Sequence, residues 1–177
     1  MRLVKVLFLS VVVFLLHFQI VGPVVKKLPA TISYYSQYKT PEHQAVAHTM
    51  RQLIVWINDN TYYRLDVVPM FYFSSTDPRL RGNESLHVSY EAKHSYILLR
   101  RDVDYTLEEH QRFLVHELVH RAQFVEGKTY DCHGQLEAEA YRIENRFVES
   151  GGSNAYTTPV STIELLEQCI GVTYGNR

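Results

Sequence analysis

The stretch FLVHELVHRAQF, Phe113–Phe124, places two histidines four residues apart, with a glutamate directly after the first histidine. Its remaining residues are mostly apolar, which predicts a helix with a buried face. Residues four apart lie above one another on a helix, so His116 and His120 can direct imidazole nitrogens at a single point. Glu117 projects about 100° further around the axis, where it can reach a water beside that point. The stretch therefore predicts a metal clamp with an adjacent base.

Signals for the ends of this helix lie on both sides of the motif. Thr106 followed by Glu109 forms a capping-box pattern, and Glu108 adds negative charge at the positive end of the helix dipole. Gly127 is a natural residue for the C-terminal cap. We predict a helix from Leu107 to Val125.

Zinc is the metal that this pattern favours. A zinc ion with three protein ligands keeps a fourth position for water, and it lowers the pKa of that water to about 7. A carboxylate beside the water can take its proton as the water attacks a carbonyl group. The alternative is a core helix without a metal, which would bury two histidines and a glutamate at a cost in free energy.

A third ligand has to come from another part of the chain. Glu126 stands where the longer H-E-x-x-H-x-x-G-x-x-H type has its last histidine, but Gln123 replaces the glycine of that type. All three methionines precede the motif, whereas that type needs a methionine turn after it. The sequence therefore excludes this class.

Four later residues carry suitable ligand atoms. Cys132 and His133 follow the motif helix in a predicted loop, which holds a ligand less firmly than a helix does. Glu137 and Glu139 lie on the next predicted helix and point about 200° apart on it, so only one of them can face a metal. These two glutamates are the better candidates.

An amphipathic helix and a small sheet are predicted before the motif helix. Thr40 as N-cap and Pro41 at the first helical position start this helix, which stops at Asn58–Asn60. The segment Tyr62–Phe73 is rich in β-branched and aromatic residues, and Pro69 confines it to an edge or breaks it in two. Two further strands form a predicted hairpin, Ser85–Ala92 and His94–Arg100.

The part of the chain after the motif helix is predicted to be helical. A helix over Gln135–Ser150 is ended by two glycines, and a short last helix begins near Pro159. We therefore predict one α+β domain over residues 40–177, with a small mixed or antiparallel sheet, the active-site helix and a helical C-terminal part that closes the site. The strand His94–Arg100 can offer an edge to an extended peptide or serve as a plain core strand.

The first residues have the character of an export signal. A short basic head precedes the unbroken apolar run Val6–Leu16, which has the length of a signal-peptide core. We predict that residues 1–22 are a signal peptide or an N-terminal anchor, with residues 6–22 attaching the protein to a membrane in the second case. Residues 23–39 are a predicted tether. The protein is then exported, either to a periplasm or out of the cell.

The chain contains two cysteines, Cys132 and Cys169. In an exported protein an even number of cysteines favours a disulfide, and we predict one between these two residues. The alternative is a pair of buried thiols.

The charge of the chain is nearly balanced. Lys and Arg total 18 and Asp and Glu total 19, which gives a formal net charge of −1. Such a chain has no electrostatic field that favours nucleic acid. The predicted partner is a peptide or protein substrate.

The motif helix and the helix after it together resemble the gluzincin-type zinc metallopeptidases, in particular the small exported bacterial members. The likeness rests on HELVHRAQ and LEAEAYRIENRF and covers Tyr96–Phe147. In that group the ligand glutamate opens an E-x-x-A-D or E-x-E-A-N pattern on the second helix. On this chain the pattern begins at Glu137, so the resemblance implies a minimal zincin-like domain with His116, His120 and Glu137 as zinc ligands.

The match to this pattern is incomplete in its fifth place. Tyr141 stands there, where an acidic or amide residue normally orients a ligand histidine. Glu139 stays the alternative ligand, and it takes that role if the face it shares with Leu136 and Ile143 packs on the motif helix.

The predicted function is zinc-dependent hydrolysis of peptide bonds, with Glu117 as general base. Tyr130, His133 and Tyr141 are near enough in sequence to stabilise an oxyanion, although each can equally be a packing or loop residue. Two alternatives stay open. One is a non-catalytic binding protein that zinc stabilises, and the other is a membrane-anchored interaction protein on the same scaffold.

Overall fold

A computed structural model describes residues 40–77, 80, 88–153 and 155–170 of the chain. These ranges contain four α-helices and three strands: α1 Pro41–Asn60, β1 Met70–Ser74, β2 Val88–Glu91, β3 Tyr96–Arg100, α2 Glu108–Val125, α3 His133–Phe147 and α4 Val160–Glu167. The fold class is therefore α+β, as the sequence predicts. The predicted signal or anchor over 1–22 and the tether over 23–39 lie outside the described residues, and no described helix is long and apolar enough to cross a membrane.

Helix α1 begins and ends where the sequence predicts. The Thr40 hydroxyl accepts a hydrogen bond from the His43 amide at 3.2 Å, and Pro41 occupies the first turn. This cap satisfies one of the amides that a first helical turn leaves without a partner. The buried face of α1 packs on α2, and its largest buried side chains are Met50, Ile54 and Ile57.

The three strands form one mixed sheet in the order β1-β3-β2. β1 pairs with β3 in parallel and β2 pairs with it antiparallel, so the predicted hairpin of β2 and β3 is confirmed. The central strand β3 is buried at Ile97, Leu98 and Leu99. The prediction that this strand offers an edge to a peptide is wrong, because β3 is bonded on both sides. It is the core strand of the alternative prediction.

The first predicted strand is shorter in the structure. Only its end joins the sheet, as part of β1, and the residues from Tyr62 to Pro69 form no regular strand. Pro69 has no amide hydrogen to donate, so regular pairing begins after it. Tyr63 turns instead into the core, where it is fully buried.

The start of α2 differs from the predicted capping box. The Thr106 hydroxyl donates to Asp104 Oδ1 at 2.7 Å, and the Thr106 amide donates to the same atom at 2.9 Å. Because Asp104 engages the threonine, Leu107 is the cap residue and no side chain caps the helix. At the other end, Gly127 has a φ of 64°, the left-handed conformation that suits a C-terminal glycine.

Helix α3 begins at His133, slightly before the predicted start, and a π-helical turn, Val148–Gly152, follows its last residue. Gly151, in that turn, has a φ of 82°, so the predicted glycine pair does end the helix. The C-terminal end of α3 contacts α1, where the rings of Trp56 and Phe147 meet edge to face with centroids 5.1 Å apart.

Several contacts join α3 to α4. The predicted disulfide between Cys132 and Cys169 is present, and it links the residue before α3 to the residues that follow α4. Next to it, a Cβ atom at Gly134 would overlap the Leu166 carbonyl oxygen, so this close approach requires a glycine.

Helix α2 lies in the middle of the fold and contacts α1, β2 and α3. Its motif residues His116 and Glu117 are buried together with the apolar residues Leu114, Val115, Leu118 and Val119. Buried polar side chains cost free energy unless other groups satisfy them. The groups that satisfy His116 and Glu117 come from α3 and β2.

Candidate metal centre

Three potential ligand atoms meet between α2 and α3. The Nε2 atoms of His116 and His120 are 3.0 Å apart, because the two residues share one face of α2. Glu137, in the second turn of α3, places Oε2 at 3.1 Å from Nε2 of His116 and Oε1 at 3.4 Å from Nε2 of His120. The structure thus brings together the three residues that the sequence predicts as ligands.

These donors fit a zinc ion. Two imidazole nitrogens and a carboxylate oxygen all lie within 4.8 Å of one another, and this His₂Glu set is one that zinc takes in catalytic sites. Two imidazole lone pairs and a carboxylate repel each other unless a proton or a metal ion lies between them. The cluster therefore favours a positive charge at its centre.

The pKa values of the cluster agree with this. Burial lowers the pKa of His116, but hydrogen bonds to Glu137 and Glu144 outweigh burial and raise that pKa to about 10. Burial raises the pKa of Glu137, but bonds from His116 and His120 hold it far below its usual range. The surroundings of both groups thus stabilise a carboxylate beside a positive charge.

Glu144 orients His116. Its Oε2 accepts a hydrogen bond from His116 Nδ1 at 2.9 Å, and its Oε1 accepts one from Arg112 Nη1 at 2.9 Å. An ionised carboxylate only accepts, so the Nδ1 atom of His116 carries the proton and Nε2 is left to bind a cation. In the sequence pattern, Tyr141 stands at the position of the residue that orients a ligand histidine. In the structure, the Tyr141 ring packs against the His116 ring, with centroids 4.6 Å apart.

The signal for Glu144 was present in the sequence. It follows Glu137 by seven residues, which is about two helical turns, so both carboxylates lie on the same face of α3. The E-x-x-A-D pattern ends at its fifth position and so does not reach the eighth, where Glu144 stands.

Gln123 orients His120. Its Oε1 lies 2.8 Å from His120 Nδ1, and the side chain is almost fully buried. In the sequence pattern, Gln123 is informative only because it replaces the glycine of the longer H-E-x-x-H-x-x-G-x-x-H motif. Its position three residues after His120 on the same helix is the signal that would have identified it.

Glu117 lies next to the edge strand β2. Its Oε2 accepts a hydrogen bond from the Tyr90 amide at 2.5 Å. Burial raises the pKa of Glu117, and the nearby His120 and His116 oppose that rise. This carboxylate is therefore buried, held by the backbone and close to the imidazole pair.

The structure places Glu139 away from the imidazoles. This alternative ligand accepts hydrogen bonds from Lys128 Nζ at 2.6 Å, from Tyr63 at 2.9 Å and from Gln123 at 3.1 Å, as well as from Tyr62 and Tyr130. Burial raises its pKa, but these donors, Lys128 first among them, hold the pKa at about 2.

The remaining sequence candidates occupy three different surroundings. Cys132 is in the disulfide, which removes its thiolate as a ligand. His133 lies on the exposed side of Glu137, with its Nδ1 3.6 Å from Glu137 Oε1. Tyr130 donates its hydroxyl to Glu139. Among these three candidates, only His133 contacts a residue of the cluster.

A family model described as a domain of unknown function, DUF6647, matches residues 42–169 of the chain. The matched span includes every residue of the cluster. No curated protein and no solved structure matches the chain.

Proposed function

We propose that this chain, which belongs to the DUF6647 family, is a zinc-dependent peptide hydrolase with His116, His120 and Glu137 as metal ligands. The observation that carries the proposal is the meeting of two imidazole Nε2 atoms and a carboxylate at one point. Each imidazole has its Nδ1 bonded to a side-chain oxygen, which leaves Nε2 for a cation.

A zinc ion held by these residues would supply Lewis acidity, which polarises a substrate carbonyl and makes water easier to deprotonate. Glu117 is the residue that accepts the proton. One of its oxygens is held by the Tyr90 amide, and the other can take a proton from the attacking water and pass it to the leaving amine. Burial raises the pKa of Glu117 above that of an exposed carboxyl group, which makes it a stronger proton acceptor.

The edge strand β2 is the part of the fold that suits an extended peptide. Among the described strands, β2 pairs only with β3, and its Tyr90 amide faces Glu117. A peptide that lies along such an edge forms backbone hydrogen bonds with it. Phe124, two turns after His116 on α2, exposes 54% of its surface and packs edge to face on Tyr90. We therefore propose that the substrate carries an apolar side chain near the bond that is cleaved.

The test combines metal analysis with hydrolysis of a peptide library. We expect the wild type and Glu117→Gln to bind zinc equally, and His120→Ala to lose it. Only the wild type should cleave, because the side-chain amide of the Glu117→Gln variant cannot accept a proton. Cleavage by Glu117→Gln at the wild-type rate, or no zinc in the wild type, would refute the proposal.

A non-catalytic zinc-stabilised binding protein is the second candidate. The bond from the Tyr90 amide to Glu117 favours it, since a structural carboxylate makes the same contact. In that case Glu117→Gln lowers the melting temperature and the wild type shows no zinc-dependent cleavage. In a hydrolase the variant folds normally and loses only turnover.

We also propose export from the cytoplasm. The Cys132–Cys169 disulfide supports this, because such bonds persist in oxidising compartments. N-terminal sequencing of the exported protein distinguishes a cleaved signal over residues 1–22 from the membrane-anchored alternative, which retains them.

A further inference from the structure

We infer that Glu139 is a positioning residue for the metal centre, and that it sets the tautomer of His120 by fixing the side-chain amide of Gln123. The inference rests on the proposed function, since it concerns how one proposed ligand is held. It gives a role to the carboxylate that the ligand cluster does not use.

The orientation of Gln123 follows from its three partners. Its Nε2 is 3.0 Å from the Leu136 carbonyl oxygen and 3.1 Å from Glu139 Oε2. A carbonyl and an ionised carboxylate can only accept hydrogen bonds, so the amide NH₂ must face these two groups. The amide oxygen is then the atom that faces His120 Nδ1, at 2.8 Å.

This orientation decides which nitrogen of His120 carries the proton. A neutral imidazole has one N–H, and the Gln123 oxygen requires that it be on Nδ1. The lone pair is then on Nε2, which faces His116 and Glu137. A reversed amide would present NH₂ to Nδ1 and favour a proton on Nε2, where a metal could not bind.

The two histidines differ in how their orientation is secured. His116 bonds directly to the carboxylate of Glu144, which cannot be reversed because both oxygens accept. His120 bonds to a neutral amide, which can be turned around by a rotation of its last torsion. Glu139 adds a charged acceptor to the Leu136 carbonyl oxygen, and together these two groups distinguish the two orientations of this amide.

Glu139 is itself firmly held. Besides Gln123, the side chains of Lys128, Tyr62, Tyr63 and Tyr130 donate to its two oxygens. Lys128 also lies over the ring of Tyr62, with Nζ 4.9 Å from the centroid. These contacts keep the acceptor of Gln123 in one place and in its ionised form.

The experiment compares Glu139→Gln with the wild type in two measurements. The first is the tautomer of His120 in metal-free protein at mildly alkaline pH, read from long-range ¹H–¹⁵N spectra of the imidazoles. The second is the zinc dissociation constant, from competition with a chelator. Glu139→Gln adds an NH₂ group that can donate to the Gln123 oxygen, so a fraction of His120 should shift to the Nε2–H form. Zinc affinity should fall by about tenfold or more.

The double variant Gln123→Glu/Glu139→Gln provides a rescue. A carboxylate at position 123 can only accept, so it restores the proton to His120 Nδ1, and the amide at position 139 donates to it. We expect the wild-type tautomer and a zinc affinity above that of either single variant, but below that of the wild type, because the new carboxylate also faces the Leu136 carbonyl oxygen. A merely structural role of Glu139 predicts no such recovery.

Glu167→Gln is the matched control. Glu167 is also paired with a cation, Arg142, and lines the same cavity of about 710 Å³ as Glu139, but it has no bond to Gln123. The zinc affinity and the His120 tautomer of the Glu167→Gln variant should equal those of the wild type. An unchanged tautomer and unchanged affinity in Glu139→Gln would overturn the inference.

The outcomes separate this inference from the proposed function. If the wild type binds no zinc, the proposed function fails, while the tautomer measurement still tests the link from Glu139 to His120. If Glu139→Gln does not fold, Gln123→Glu alone tests the link. It places two carboxylates side by side and should lower zinc affinity, and the double variant should reverse part of that loss. No loss in Gln123→Glu would then overturn the inference.

Discussion

Replacing both cysteines of the Cys132–Cys169 bridge by serine should lower the free energy of unfolding by about 4 kcal/mol. The bridge joins residues separated by 37 positions. The loop-closure relation gives about 13 cal/mol/K for a loop of that length, which is about 4 kcal/mol at room temperature. A domain of this kind is stable by only about 5–15 kcal/mol, so the bridge contributes a large fraction.

The native packing should change little, because other contacts hold the same helices together. Ala138 of α3 packs with Ile163 and Leu166 of α4, and Gly134 allows the two backbones to approach closely. The loss therefore arises mainly in the unfolded chain, which gains freedom when the bridge is removed. The zinc affinity of the folded variant should equal that of the wild type.

The assay is urea unfolding followed by circular dichroism, with a chelator present so that metal binding does not add to the measured stability. Reduced wild type is the control, and it should match the double serine variant. Cys169 has a φ of 59°, and serine has the same steric requirement there, so the substitution adds no new backbone strain. A loss of less than about 1 kcal/mol would refute the loop-entropy reasoning. A fall in the zinc affinity of the double serine variant would refute the reasoning that α3 keeps its packing without the bridge.

Three further predictions concern the metal centre and the helix contacts. Glu144→Gln should weaken zinc binding by about 10- to 100-fold, because it removes the charge between His116 and Arg112. Titration calorimetry measures this, the exposed Glu149→Gln is the control, and equal affinity would show that Glu144 does not orient the ligand. Zinc at one hundred times its dissociation constant should stabilise the wild type by about 2.7 kcal/mol and leave His120→Ala unchanged, as thermal unfolding can show. A rise in His120→Ala would place the metal elsewhere. Gly134→Ala should destabilise the fold by about 2 kcal/mol, since its Cβ would overlap the Leu166 carbonyl oxygen. Urea unfolding tests this, and wild-type stability would mean that α4 moves away freely.

Two features that follow from local sequence were predicted correctly. Thr40 and Pro41 define the start of α1, and the spacing of His116 and His120 places both imidazoles on one face. Both depend on interactions within a few residues, which a sequence pattern expresses directly. The predicted capping box at the start of α2 is also a local pattern, but it is wrong. Asp104 accepts the hydrogen bonds of Thr106 instead.

Features that depend on distant partners were harder to predict. The position of β3 in the sheet depends on its parallel pairing with β1, which no local pattern specifies. The choice between Glu137 and Glu139 depends on which face of α3 packs against α2, and the residues alone left both open. Gln123 was visible in the sequence, but its role emerges only with its two acceptors, Leu136 and Glu139, in place.

The chain has a single tryptophan, Trp56, and its ring rests on Phe147 at the far end of α3. Glu137 precedes Phe147 by ten residues, so about 15 Å of helix α3 lies between the backbone of Phe147, which the Trp56 ring contacts, and the backbone of Glu137. Intrinsic emission from this residue will therefore monitor the separation of α3 from α1 and will be insensitive to direct quenching by an ion at the cluster. A fluorescence titration can thus distinguish loosening of the helix pair from local events among the histidines without any introduced label.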